Sequence, residues 1–282
     1  MRHILLGTDE AGYGPNLGPL VVSLTVWEVP CVDMSPLYEP LKKEGILIDD
    51  SKKLYHGGSI TTLEAGVLVA MQSLKQKITP LANDIETINR LTETFEVILQ
   101  QHQMRLLDVQ HRSVYPLEFN QLLDRFDSKG TLLSQVTLRL IADKISQLIQ
   151  ENRSLPILVL CDKHGGRNHY LDLLTEFFPG EFIRTVQQSR NCSAYRLTLS
   201  ECPVEFRFLA KGESHLPIAL ASMLAKYHRE WAMTQFNAFW QSHVPDLLPT
   251  AGYPEDAKRF KQQIADAQKR LGISEESLWR KK

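Results

Sequence analysis

Two hydrophobic periods alternate along the chain. "RHILLGTDE" and "LVVSLTVWEV" are apolar runs of strand length, the first ending on the adjacent carboxylates Asp9 and Glu10. The glycine- and proline-rich stretch between them predicts a hairpin-like pair. "SPLYEPLKKEGILIDDSKKLYHGG" reads as loop, broken by Pro36, Pro40 and the paired glycines Gly57 and Gly58. The period then lengthens. Leu63, Val67, Ala70, Met71, Leu74 and Ile78 fall at helical spacing, with Thr61 and Glu64 placed to form a capping box and Pro80 to end the run. Asn83 and Glu86 mark a second start, followed by Ile85, Ile88, Leu91, Phe95 and Ile98. A third helix is expected from near Thr131, with Leu133, Val136, Leu140, Ile145 and Leu148 on one side.

"LPILVLCDKHGG" is the strongest strand signal, bounded by Pro156 and Gly165-Gly166 and ending on Asp162. A short helix, "HYLDLLTEFF", follows. "EFIRTVQQS", "SAYRLTLS" and "VEFRFLA" then read as an antiparallel meander near 181–210. From 214 to 282 the pattern is helical: one long Ala- and Ser-rich helix whose small residues allow close packing on a sheet, then a helix from Glu255 to Leu271. Strands first, then mixed helices and strands, predict an α/β fold with a mixed β-sheet flanked by helices. No repeat or linker divides residues 1–282, so one domain is expected.

Composition narrows the chemistry. At 282 residues and 43% hydrophobic the chain can bury a sizeable core, and a net charge of -1 leaves no bulk basic field. Nucleic-acid binding would have to rest on local patches. Four cysteines, Cys31, Cys161, Cys192 and Cys202, form no C-x-x-C pair and no zinc spacing. Free thiols, an N-terminus too short and too soon acidic for a leader, and no apolar stretch of membrane length lead to the expectation of a cytoplasmic protein.

Four acids share one local setting: Asp9 and Glu10 at the end of one strand, Asp162 at the end of another, and Glu213 between a strand and the long helix. Strand ends on one edge of an α/β sheet converge on a crevice. Clustered anions repel unless cations neutralise them or some protonate. Oxygen-only ligands favour Mg²⁺ or Mn²⁺, and two such ions can activate a water and stabilise the leaving oxygen of a phosphodiester. The plainer reading of each acid alone is a helix cap or a solvated charge.

The specific residues then matter. "GTDEAGYGPNLGPLVV" resembles the D-E-A-G-x-G-P-x-x-G-P signature of the type 2 ribonucleases H, the ribonuclease HII and HIII family. "DDSKKL", "VLCDKHGG", "AKGESHLPIALASMLAKYHRE" and "TAGYPEDAKRF" are similar, in the same order, to that family's later segments, so the likeness spans roughly residues 4 to 260. The resemblance implies a ribonuclease H-like fold and metal-dependent cleavage of the RNA strand in RNA–DNA hybrids. It implies that Asp9, Glu10, Asp162 and Glu213 are catalytic and hold Mg²⁺ or Mn²⁺. It also implies substrate contacts from Gly12, Tyr13, Gly14, Lys52, Lys53 and Tyr253, the last against a sugar. A fourth acid that is Glu resembles the HIII branch. Tyr13 departs from the arginine of the HII branch, Lys163 and His164 follow the third acid where glycine is usual, and the meander reads as an insertion. These departures keep two rivals open: a related nuclease acting on DNA or structured nucleic acid, and a non-catalytic nucleic-acid-binding module. His164 is a candidate proton carrier beside the plainer reading of a loop histidine. Lys226 is structural or pairs with an acid. Arg167, Arg184, Arg190 and Arg196 with Tyr195 are candidates for a basic surface, and the terminal "WRKK" for a phosphate contact or a frayed end.

Overall fold

The computed structural model describes residues 2–55, 59–151 and 155–281. Gly57 and Gly58, read above as loop, lie outside them. Seven strands form one mixed sheet: β1 (His3–Ala11), β2 (Leu20–Val29), β3 (Arg105–Val114), β4 (Ile157–Asp162), β5 (Arg184–Gln188), β6 (Cys192–Leu199) and β7 (Cys202–Leu209), in the order β3-β2-β1-β4-β7-β6-β5. The central ladders β1/β4 and β4/β7 are parallel, and the flanking ladders are antiparallel. The predicted hairpin-like pair is β1/β2, with Ala11 opposite Val21, and the meander is β5–β7.

The helices are α1 (Tyr38–Lys43), α2 (Ser51–Leu54), α3 (Thr61–Ser73), α4 (Ile85–Gln101), α5 (Pro116–Phe126), α6 (Lys129–Gln150), α7 (Leu171–Phe177), α8 (Leu216–Gln241), α9 (Pro254–Leu271) and α10 (Glu275–Leu278). Side chains alternate across the sheet. Leu5, Trp27, Leu158 and Leu160 pack under α1, α3, α4 and α8, while Ile4, Leu6, Val159, Cys161, Phe206 and Phe208 pack under α6 and α7. A smaller cluster, Leu17, Trp240, Phe260 and Ile264, joins α9 to the end of α8.

Gly7 fixes where α8 begins. A Cβ there would lie 2.2 Å from the Pro217 carbonyl carbon, so only glycine allows this approach. Thr25 Oγ1 donates to Pro217 O at 2.8 Å beside it. The turn holding Glu213 immediately precedes this anchored helix start.

Two local expectations are corrected. Thr61 and Glu64 do not form a capping box, since the N-cap of α3 is Ile60 and no side chain caps it. Glu64 is fully buried and instead accepts from the backbone N–H groups of Leu81, Ala82 and Asn83 at 2.6, 2.8 and 2.8 Å and from Asn83 Nδ2 at 2.9 Å. A buried carboxylate needs several donors, and this turn offers them. The cap of α4 is Asp84, which accepts from Thr87 N at 2.8 Å, rather than Asn83.

Candidate active site

Each acid occupies the end of an element. Asp9 and Glu10 lie near the end of β1, with Asp9 opposite Ser23 of β2. Asp162 is the last residue of the neighbouring parallel strand β4. Its Oδ1 accepts from Gly212 N at 2.9 Å, which ties β4 to the 3₁₀ turn Gly212–Ser214 and sets Glu213 beside it. Lys52, on α2, reaches across to Glu213, Nζ to Oε1 at 3.8 Å.

The electrostatics record how near these groups are. Burial holds Asp9 well above the usual carboxylate range, and the charges of Glu10 and Asp162 raise it further, partly offset by a hydrogen bond from Ser222. Burial, then Asp162 and Glu213, push Glu10 up to about 7 against the opposing pull of an Asp9 hydrogen bond and Lys52. Asp162 is raised by burial and Glu213, partly offset by the Gly212 hydrogen bond. For Lys52, burial acts downward, but Asp50, Glu213, Asp9 and Asp162 outweigh it and hold the ammonium raised. The site thus carries excess negative charge that one lysine partly balances.

Among the described residues, no group of three or more His, Cys, Asp or Glu side chains is posed to hold a metal ion. The carboxylates turn to donors of their own chain: Asp9 Oδ1 to Glu10 N at 2.8 Å, Asp162 to Gly212 N, Glu213 to Lys52. The donor chemistry still fits a hard cation. The set is all oxygen, and a divalent ion would relieve the repulsion that raises Asp9, Glu10 and Asp162.

The Gly12–Pro19 loop lies alongside. Gly12 has φ +84°, and a Cβ on it would sit 2.5 Å from Pro19 O and 2.7 Å from the Arg229 side chain. Gly14 faces open space. Tyr13 packs beside the Phe119 and Leu132 cluster, and burial followed by the Glu10 charge raises its phenol. Tyr253 is half exposed above the Arg229 guanidinium, which lies 5.8 Å from the ring centroid. Gly252 O accepts from Asn16 N at 2.8 Å and Leu17 N at 3.2 Å, docking the Tyr253 loop onto the glycine loop. Lys53 pairs with Asp49 at 2.8 Å.

The sequence matches no family model and no curated protein. Solved structures do match. Ribonuclease HII from Archaeoglobus fulgidus, solved as a complex with PCNA, superposes with a TM-score of 0.52 at 18% identity, covering 98% of this chain and 93% of that one. The chain has the fold of the type 2 ribonucleases H. Ribonuclease H2 from Pyrococcus horikoshii OT3 aligns at 18% identity and TM-score 0.46, covering 98% of this chain and 92% of that one. Bst-RNase HIII in complex with Mn²⁺ aligns at 18% and 0.44, covering 99% of this chain and 66% of that one.

On this ribonuclease H fold several residues take unexpected places. Arg280, part of the basic "WRKK", is neither frayed nor free for phosphates. It is fully buried and stacked 4.7 Å above Phe119, donating to Gly18 O at 2.9 and 2.6 Å and to Gly12 O at 2.6 Å. It clamps the glycine loop. Arg229 lies nearby, buried, donating to Ala251 O at 2.8 Å and to Glu230 at 3.2 Å. Burial and Arg229 push Arg280 down to about 9. Ser222, one turn before Lys226 on α8, bonds Asp9 and lies 3.0 Å from Ser51 Oγ. Ser222 and Arg229 fall inside the long-helix segment of the resemblance without a role of their own there, and Arg280 reads as tail charge.

His164 is buried, with Nδ1 3.0 Å from Ser134 Oγ, and burial followed by Arg167 pushes it down to about 3. It sits in the packed interior between Ser134 and the Tyr170 and Phe208 rings. Lys226 pairs with Glu230 at 2.7 Å and lies 4.0 Å above the Tyr55 ring. Tyr195 is core, its hydroxyl accepting from Tyr170 N at 3.0 Å, so it adds nothing to a basic surface.

Proposed function

We propose that the protein is a metal-dependent endonuclease that cuts the RNA strand of RNA–DNA hybrids. The observation that carries this reading is the mutual electrostatic reach of Asp9, Glu10, Asp162 and Glu213 at the strand ends, beside a glycine loop open at Gly14. Asp9, Glu10, Asp162 and Glu213 would hold Mg²⁺ or Mn²⁺. The bound cation supplies charge neutralisation and Lewis acidity for phosphodiester hydrolysis. The chain's own groups do the rest. Lys52 balances charge where a scissile phosphate would approach. Backbone N–H groups at Gly12 and Gly14 meet the nucleic-acid backbone, and Tyr253 offers a half-exposed ring to a sugar. The Tyr13 hydroxyl, next to Glu10, offers a neutral donor. Such a site reads a hybrid by shape and 2′-hydroxyls rather than by sequence.

A labelled RNA–DNA hybrid incubated with Mg²⁺ or Mn²⁺ tests the reading. Cleavage within the RNA is expected, falling at least about 100-fold in Asp9→Asn, the scale of losing one electrostatic stabiliser. A folded protein that leaves the hybrid intact would refute it. Tyr13, which brings no positive charge to the loop, favours adding single-ribonucleotide and all-DNA duplexes to the panel. Cutting of DNA alone would replace the hybrid with another nucleic-acid target.

A further inference from the structure

Among the described residues, the outer face of the meander is an uncovered surface. The inward residues of β6 and β7, Tyr195, Leu197, Phe206 and Phe208, join the core under α6 and α7. The opposite face carries Arg196 and Arg207, and every residue of β5 is exposed. Two adjoining hollows of about 550 and 320 Å³ run along this face and share Arg196, Glu205 and Arg207 as lining. The larger includes Phe182 and Arg184, and the smaller Val186 and His215.

The residues here are unusual for a surface that only meets water. Arg184 stands directly opposite Arg196 across the β5/β6 ladder. Like charges in such a pair destabilise a sheet. One carboxylate, Glu205, serves both Arg196 at 2.6 Å and Arg207 at 2.5 Å. Glu181 also lines the larger hollow. Phe182 is 84% exposed and Val186 44%. His215, two residues beyond Glu213, also lines the smaller hollow.

We infer that this groove is a docking track for single-stranded DNA that flanks the hybrid. The inference rests on the proposed hybrid-cutting function, under which RNA is consumed and DNA is the strand that stays. The chemistry selects the occupant. Arginines facing one another across a ladder call for phosphates between them. An exposed aromatic ring beside them suits a base face, and base faces are free only in a single strand. The smaller hollow includes His215, the residue that follows the Gly212–Ser214 turn, so a strand leaving the acidic centre past that turn would meet the groove.

Fluorescence anisotropy with a labelled dT20 oligonucleotide in EDTA tests this on the full chain. Wild-type protein is expected to bind at low salt. Phe182→Ala with Arg184→Ala should weaken binding about tenfold, and the slope of log K against log salt should shrink by about 0.7 for the arginine removed. Both side chains are exposed and removing Arg184 relieves its repulsion with Arg196, so the melting temperature should not fall. A second readout compares kcat/KM for a hybrid with a single-stranded DNA tail against a blunt one. The tail should raise it in wild type, and the ratio should fall towards one in the double variant. Absence of dT20 binding by wild type, or equal binding and salt slope in the variant, would overturn the track. The binding arm needs no catalysis, so it stands apart from the function test: a protein that binds dT20 through this groove but cuts no hybrid loses the nuclease reading alone.

Discussion

Arg280 shows how one residue can govern a site it never enters. Its guanidinium, buried beside Arg229 without a carboxylate bonded to it among the described residues, is satisfied by the Gly12 and Gly18 carbonyls and the Phe119 ring. Arg280→Ala would leave those carbonyls unmet, at about 1–3 kcal/mol of stability, and loosen the glycine loop. Urea unfolding should report the first effect, and a raised KM for the hybrid larger than the fall in kcat the second. Lysine, lacking the planar fork, should rescue little. At Glu10 the sign is opposite to that of a salt-bridged acid. Its carboxyl is raised from 4.5 to about 7 in the folded state, so this contribution to stability is complete below pH 4.5 and lost as pH rises through about 7. Glu10→Gln should therefore raise the melting temperature of metal-free protein at pH 8 and leave it nearly unchanged at pH 4.5. Thermal melts across that range check it. Mg²⁺ should stabilise wild type more at pH 8 than at pH 5, which the same melts in added salt of the ion would reveal.

At the scale of elements, the anchoring of α8 on β1 is the critical join. Gly7→Ala would drive a methyl into the Pro217 backbone, where no rotamer change gives relief. A stability loss of about 3 kcal/mol or more is expected by urea titration, with cleavage falling because the Glu213 turn moves with the helix. The element scale also shows what was legible beforehand. β1, β2, β4, β6, β7 and α8 announced themselves because each is an apolar, alternating or small-residue run buried on one or both sides, and β5 was read from its place at the start of the meander. β3 did not. As an edge strand of "RLLDVQHRSV" it carries polar side chains on both faces, and its pairing with β2 comes from the sheet rather than from its own pattern. The Thr61/Glu64 spacing misled because a buried carboxylate was drawn to the donors of a distant turn. The acids were legible as strand ends. The Arg280 clamp was not, since nothing local distinguishes a basic tail from a buried guanidinium.

For the whole molecule, the buried His164 and the half-buried His228 oppose acid. His164 is pushed down to about 3 by burial and then Arg167. His228, stacked on His111 with centroids 3.5 Å apart, is pushed down to about 3 by burial and then by His111. In the unfolded chain both take up protons near 6.5, while the folded state refuses them. Their contribution is present above pH 6.5 and lost as pH falls towards 3, at about 1.4 kcal/mol per pH unit for each. Equilibrium unfolding between pH 6.5 and 4 should show this limb, reduced in part where the raised carboxyls of Asp9, Glu10 and Asp162 pull the other way, and His228→Phe should make it shallower. A last consequence concerns the order of synthesis. The glycine loop leaves the ribosome early, whereas the guanidinium that locks it follows 268 positions later. A nascent chain therefore carries all four acids before Arg280 can hold the Gly12 and Gly18 carbonyls in place.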